Sequence, residues 1–326
     1  MFSFSNKNQK LAVIGSGYWG SIIIKTLIEM GFKNIVIFDQ SIKNKKIAKK
    51  KFKIIKFENN FSNILEDKNI MNIFVVTPPS ENFKIVKQLI FNNKNIFLEK
   101  PGFHKLDDIL KVQKYLKKSS SKLMFGYIYC YNDYILKIKK ILDKKILGEI
   151  QYASFSRKNL GPIRSDVDVD YDLTSHDLSI IIKLFNKLPK IKSYEKYSIL
   201  KKNISDISNL HLKLDKINID ITNSWLNPTK ERLINIIGKK KMLCFDEMNV
   251  DEPLKIYHQY AKYPKLDFFD KKFLKSKALI YKGENKTIRV KSKSPLVNEI
   301  KEFFDNKKPI TDIKLATDIL FFLKNI

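Results

Sequence analysis

The chain has 326 residues, 44% of them hydrophobic, and a formal net charge of +28 from 62 basic and 34 acidic side chains. That length accommodates two domains or one large α/β domain, and no run approaches the roughly 18 apolar residues of a membrane helix, so no membrane partner is expected. The charge invites a nucleic-acid reading, but only Arg157, Arg164, Arg232 and Arg289 are arginines, and the lysines are scattered instead of gathered into one face, which argues against nucleic acid.

The opening segment MFSFSNKNQK has neither an apolar core nor a small-residue cleavage site, so no signal peptide is expected. Cys130 and Cys244 lie far apart without metal-ligand spacing. The expectation is a reduced, cytoplasmic protein with no bound metal.

In chain order, KLAVIGSGYWGSIIIKTLIEMGFKNIVIFD runs from an apolar stretch through a glycine turn and a helix-period segment to a second apolar stretch ending in Asp39. This is a βαβ unit. A short strand is expected at 52–57, a helical turn at 61–67, a strand from 70 stopped by Pro78-Pro79, and a helix at 81–94. Ile96-Phe97-Leu98 ends a fifth strand, 106–118 reads as a helix, and 122–132 as a further strand. Strands alternating with helices imply a doubly wound parallel sheet over residues 1–125. A second domain, 126–326, follows, with a helix at 132–145, the strand EIQYASFS and a helix starting near Asp172. Six strand-like segments between Lys190 and Val290 favour an open, mainly antiparallel sheet, with Asn227-Pro228 as a hairpin turn. Helices at 296–306 and 312–324 close the chain.

The segment GSGYWG fits G-x-G-x-x-G with Gly15, Gly17 and Gly20. The pattern carries weight here because it follows a strand, opens a helix and precedes an acid at the end of the next strand. Gly15 permits the tight turn, Gly17 lets backbone approach a pyrophosphate, and Gly20 lets helix and strand pack closely. Asp39, 19 residues after Gly20, is placed for the ribose 2′-hydroxyl and disfavours a 2′-phosphate. The cofactor expected is NAD rather than NADP, although Lys43, Lys45 and Lys46 pull the other way.

With this loop, VVTPPS, FLEKPG, YDLTSHDLSI (171–180) and LGEIQYASFSRKNLGPIRSDV (147–167) in that order, the chain resembles the Gfo/Idh/MocA family of oxidoreductases, in particular members that act on nucleotide-linked sugars. The resemblance implies an N-terminal Rossmann domain joined to an α/β domain whose open sheet often mediates oligomers. It departs at Asn82, where many members have histidine, and at Thr174, where glycine is common. The implied coenzyme set is Gly15, Gly17, Tyr18, Trp19, Gly20, Asp39, Thr77, Pro78, Glu99 and Lys100. By resemblance Lys100 bonds the substrate oxygen and Glu99 lies close to the nicotinamide ribose. In a doubly wound sheet these are rim residues, and Pro101 takes the chain out of the sheet.

Asp172 and His176 are four apart, which puts them on one face of a helix. Oxidising a secondary alcohol removes a hydride from carbon and a proton from oxygen, and an imidazole with a pKa near ~6.5 suits the second task. The expectation is His176 as general base, Lys100 polarising the oxygen and Asp172 orienting the site. The alternating acids 166, 168, 170 and 172 lack the glycine and final glutamate of a calcium loop; Asp166 and Asp168 are read as lining or capping a substrate loop. Arg157 and Arg164, beside Asn159, stand out in a lysine-rich chain as planar donors for a phosphate or carboxylate of the substrate.

The sequence therefore predicts an NAD-dependent dehydrogenase acting on a ring hydroxyl of a small-molecule sugar. A nucleotide-linked hexose or aminosugar used for surface polysaccharide is expected, from a homo-oligomeric enzyme. A free-sugar or inositol-type polyol dehydrogenase is the alternative within the class, and a non-catalytic NAD(P)-binding regulator the alternative outside it.

Overall fold

A computed structural model describes residues 7–52, 55–164, 167–262, 278–305 and 307–326. Two compact units emerge, one of residues 1–132 with 293–326 and the other of residues 133–292.

The first unit alternates strand and helix: β1 (Lys10–Ile14), α1 (Tyr18–Glu29), β2 (Ile35–Phe38), α2 (Ile42–Lys51), β3 (Lys56–Phe57), α3 (Phe61–Glu66), β4 (Ile70–Val75), α4 (Pro79–Phe91), β5 (Asn95–Glu99), α5 (Leu106–Leu116) and β6 (Leu123–Gly126). The strands are parallel in the order β3-β2-β1-β4-β5-β6, the 3-2-1-4-5-6 order of a doubly wound dinucleotide fold. Helices on both faces require the strands to be apolar throughout: Leu11, Ala12, Val13 and Ile14 are all buried, as are Ile96, Phe97 and Leu98. The strand expected at 52–57 is only Lys56–Phe57, with 53–54 outside the described residues. The strand expected at 122–132 stops at Gly126, after which Ile128–Tyr131 forms one 3₁₀ turn.

In the second unit, α6 (Asp133–Asp143) leads into β7 (Ile150–Leu160), a π turn (Asp170–Thr174) and α7 (Ser175–Phe185). Then come β8 (Lys190–Tyr197), β9 (Ile207–Leu214), β10 (Ile217–Ser224), β11 (Leu226–Gly238), β12 (Met242–Asp246), β13 (Leu254–Tyr257), β14 (Gln259–Lys262), β15 (Leu279–Lys282) and β16 (Lys286–Thr287). Eight of them form a sheet in the order β16-β13-β12-β11-β7-β10-β9-β8, while β14 and β15 pair separately. The large sheet is antiparallel except for β7 against β10. Asn227-Pro228 is not a hairpin turn. It lies inside β11, where the register against β7 shifts between Leu226 and Glu231, as expected of a residue with no N–H for the ladder. Alternation along β7 buries Ala153, Phe155 and Arg157 on one face.

The last two helices, α8 (Pro295–Phe304) and α9 (Ile313–Leu323), belong to the first unit, not to the second domain as the sequence suggested. The reason is aromatic. Phe303 packs edge-on against Phe74 at 5.1 Å and Phe97 at 5.9 Å, and Phe304 stacks on Phe32 at 4.9 Å. Backbone joins them too, as Phe125 N donates to Thr311 O at 2.8 Å. No helix among the described residues is long and apolar enough to cross a membrane.

Candidate active-site residues

In the first unit the glycine loop joins β1 to α1. Gly15 takes φ +95°, and a Cβ there would stand 2.3 Å from Val76 O; one on Gly20 would stand 2.2 Å from Gly15 O. Both glycines are thus required by the protein's own packing. Gly17 is different: its nearest neighbour to an added Cβ is Asn44 Nδ2 at 3.9 Å. Open space over a backbone at a helix N-terminus is what a pyrophosphate needs. The residues present therefore fit a dinucleotide. Asp39 closes the cradle from β2. Its Oδ2 accepts from Ser16 N (2.7 Å) and Ser16 Oγ (2.8 Å), and its Oδ1 from Ser41 N (2.8 Å). Three of roughly four acceptor positions are used internally, which leaves one for a ribose hydroxyl.

At the other side of the sheet's switch point, β5 delivers Glu99 and Lys100. Gly102 follows at φ +81°, where an added Cβ would lie 2.5 Å from the Phe125 ring. Asn82 holds this turn: its Nδ2 donates to Gly102 O and its Oδ1 accepts from Thr77 Oγ1, both at 2.6 Å. One buried amide thus links the end of β4 to the lysine turn. Pro78 caps α4 with Pro79 at its first position; Tyr18 is 86% exposed. Burial pushes the Glu99 carboxyl up to about 7, against the opposing pull of Lys100 and the Trp19 indole. Glu299, on α8 and fully buried, is pushed well above the usual carboxylate range by burial first and by the charge of Glu99 second.

In the second unit, the Asp172–His176 interval straddles the junction of the π turn and α7, so the pair is not the plain i, i+4 neighbour of an α-helix. Such turns recur at functional sites. Asp172 Oδ2 accepts from the indole N–H of Trp225 at 3.2 Å, and Trp225 packs with Val169 and Leu173 beneath the turn. The turn is bound to the sheet by buried polar groups. Thr174 Oγ1 lies 2.6 Å from Asp170 Oδ1 and 2.7 Å from the Asn223 amide, and Ser208 Oγ donates to Asp170 Oδ1 at 2.7 Å. Lys196 Nζ pairs with Asp170 at 3.1 Å and with Asp168 at 3.4 Å. With its amide turned to suit its neighbours, Asn223 donates to Asp177 Oδ2 at 3.1 Å.

Asp177 receives the guanidinium of Arg157, from Nε at 3.1 Å and Nη2 at 2.9 Å. Arg157 is only 4% exposed. The sequence placed it as a substrate-anion donor; in the fold it faces inward along β7 and neutralises the residue next to His176. Asn159 is also engaged, accepting from Arg232 Nη2 at 2.5 Å and donating to Gly161 O. Arg164 is part-exposed. Asp168 Oδ1 accepts from Tyr171 N at 3.1 Å and so caps the π turn, whereas Asp166 lies outside the described residues. Among the described residues no cluster of three or more metal-ligating side chains occurs.

Of the positions read from the sequence, Gly15, Gly17, Tyr18, Trp19, Gly20, Asp39, Thr77, Pro78, Glu99 and Lys100 all fall in the first unit, and Asp172 and His176 in the second. Sequence reasoning noted Asn82 only as a departure from the family pattern and gave no part to Asp177, Asn223, Trp225 or Glu299. The signal for Glu299 was present: with Leu296, Ile300 and Phe303 it completes an i, i+3, i+4, i+7 stripe. Alternation after Ala153 and Phe155 likewise put Arg157 inside.

Residues 9–127 match the model of the oxidoreductase family with an NAD-binding Rossmann fold. The scyllo-inositol 2-dehydrogenase (NAD(+)) of Bacillus subtilis is 24% identical over 178 residues, 52% of each chain; the chain thus spans about half the length of the curated relatives it matches. Among solved structures, UDP-N-acetylglucosamine 3-dehydrogenase of Acidithiobacillus ferrooxidans superposes with a TM-score of 0.77 at 15% identity, covering 98% of this chain and 96% of that one. GenD2 from gentamicin A biosynthesis, in complex with NAD, gives 0.78 at 14% identity, covering 99% and 94%. At such identities the likeness is one of fold: a parallel Rossmann sheet followed by a mainly antiparallel one.

Proposed function

We propose that the chain is an NAD-dependent dehydrogenase of the Gfo/Idh/MocA type that oxidises a ring hydroxyl of a sugar. The reading is carried by the first unit: a family match confined to residues 9–127 coincides with a glycine loop whose middle glycine opens onto free space and whose acid retains one acceptor position. Asp39 favours NAD over NADP, because a 2′-phosphate brought to a buried carboxylate meets like charge.

When bound, nicotinamide accepts a hydride from the carbinol carbon. The protein's part is to hold the oxygen and move its proton. Lys100, on a turn fixed by Asn82, donates a hydrogen bond to the substrate oxygen and stabilises the negative charge that develops there. His176 takes the hydroxyl proton on a ring nitrogen, leaving a carbonyl, and returns it in the reverse direction. Asp172, held by Trp225, orients the substrate and balances the added charge. With Arg157 turned inward, Arg164 is the arginine assigned to an anionic substrate group.

The preferred substrate is a nucleotide-linked hexose or aminosugar destined for surface polysaccharide, in keeping with the sugar nucleotide named for one fold relative. The inositol substrate named for a curated relative supports a polyol as the second reading. The open face of the large sheet serves as the homo-oligomer contact. A panel of nucleotide sugars, free sugars and inositols, assayed for NADH formation, tests this proposal. Turnover of a nucleotide sugar supports it, turnover of an inositol alone moves it to the second reading, and coenzyme binding without turnover of any member overturns it in favour of a regulator.

A further inference from the structure

At the edge of the first sheet away from the glycine loop, the amino ends of β2 and β3 meet the carboxyl ends of α1 and α2. Between them opens a cavity of about 610 Å³ walled by Ile28, Phe32, Ile35, Phe52 and Ile55. That volume lies within the roughly 300–1,000 Å³ of small-molecule sites. Phe32, Ile35 and Phe52 are buried, whereas Ile28 is 42% exposed at the mouth. Lys33, Lys50 and Lys51 complete the lining, and their exposure puts them on the rim. A fourth lysine lies across Gly31: a Cβ there would stand 3.2 Å from Lys7 Cδ and 3.3 Å from Lys7 Nζ. Among the described residues no acid lines the cavity, and none of these four lysines has an ion-pair partner. Glu29, on the α1 side, pairs with Lys25 at 3.5 Å.

A second cavity, of about 580 Å³, adjoins the first. It shares Lys33 and Ile35 with it and has Asn8, Gln9, Asn34 and Lys56 among its walls. An apolar hollow thus passes, at Lys33, into a hollow lined by amides and amines.

Lysines in the last turn of a helix answer the carbonyl end of its dipole, and Lys49, Lys50 and Lys51 do so for α2. Each helix end supplies only about half a negative charge, so two of them leave the four rim lysines about three charges in excess. The rim therefore favours an anion. A basic surface with apolar groups also suits a membrane, but there the apolar side chains project into lipid. Here they are recessed and the lysines project, so an apolar chain must come into the protein.

We propose that this edge of the first unit binds a free, single-chain amphiphile with an acid head. Its tail lies among Ile28, Phe32, Ile35, Phe52 and Ile55, and its head at Lys33, where the two cavities meet. Lys7, Lys50 and Lys51 add to the attractive field. The glycine loop and Asp39 stand at the carboxyl ends of β1 and β2, on the opposite edge of the same sheet. The proposal therefore does not depend on the coenzyme reading, and the two ligands do not compete.

The test is a calorimetric titration of the full chain with octanoate, decanoate and dodecanoate, each below its micelle concentration, at physiological salt. One dodecanoate should bind per chain, with affinity rising about fourfold for each added methylene, and added NAD⁺ should not displace it. Lys33→Glu combined with Lys50→Glu should weaken dodecanoate binding at least about tenfold. Lys117→Glu combined with Lys118→Glu makes the same change of net charge on exposed lysines at the β6 side of the sheet. That side is four strands from β2, roughly 19 Å against a screening length of about 8 Å, so this pair should leave affinity within about twofold. Equal losses in the two pairs overturn the proposal, because binding would then follow net charge alone. Displacement of dodecanoate by NAD⁺ overturns it, as does failure of dodecanoate to bind. Capture by phosphatidylglycerol vesicles of a chain that ignores free dodecanoate also overturns it, making this edge a membrane surface instead.

Discussion

The two units handle buried charge in opposite ways. In the first, Glu299 is fully buried and raised further by the charge of Glu99, and among the described residues its Oε1 has no hydrogen-bond partner. In the second, Asp177 holds a buried arginine and Asp170 accepts from two hydroxyls while pairing with Lys196. An acid enclosed beside another acid favours its protonated form. A cluster of paired ions is arranged to hold a backbone turn still. The same residue type, a buried acid, therefore carries different consequences in the two places.

The largest expected effect tests what the two clusters support. Lys100→Ala or His176→Ala should each lower kcat by about 10³-fold, with the dissociation constant for NAD⁺ within about threefold of wild type, measured by initial rates and by coenzyme titration. Near-normal turnover in both variants would contradict the assignment.

The next pair sharpens the contrast, because one chemical change should have opposite signs. Asp177→Asn leaves the Arg157 guanidinium buried without its countercharge and should destabilise the protein by about 3 kcal/mol in urea denaturation. Glu299→Gln should stabilise it. Burial and the nearby charge of Glu99 push the Glu299 carboxyl well above its ordinary value of 4.5, so folding favours uptake of a proton by this group. A folded-state value raised above the unfolded one makes the cost of this uptake grow as pH rises above about 4.5. The stabilisation by Gln should therefore be present at pH 7 and absent near pH 4; equal effects at both would contradict the buried, neutral assignment.

Smaller effects distinguish the cradle from the scaffold. Gly17→Ala should reduce affinity for NAD⁺ about tenfold, roughly 1.4 kcal/mol, with little change in Tm, because the added methyl meets ligand space and not protein. Thr174→Val should cost about 1 kcal/mol of stability by removing the hydroxyl between Asp170 and Asn223, and leave coenzyme affinity unaltered.

What the sequence disclosed follows from range. The glycine loop, Asp39 and the Glu-Lys-Pro turn are set by residues within one βαβ unit, where strand, turn and helix signals are local. The partner of Arg157 lies 20 residues away on another element, and nothing in a strand's composition says which helix crosses its inner face. Rarity of arginine was read as a sign of substrate binding, while the alternation that buries Arg157 was the stronger signal. The membership of α8 and α9 in the first unit was equally hidden, since Phe303 and Phe304 meet Phe74, Phe97 and Phe32 from more than two hundred residues away. Asn82 could be seen only as a departure from a histidine; its two hydrogen bonds explain why an amide serves there.

A calorimetric titration of NAD⁺ into the full chain tests the central claim most directly, run on the wild type, Gly17→Ala and His176→Ala side by side. The account predicts saturable binding with one site per chain, weakened by Gly17→Ala and retained by His176→Ala. No binding, or binding that Gly17→Ala leaves intact, would contradict it.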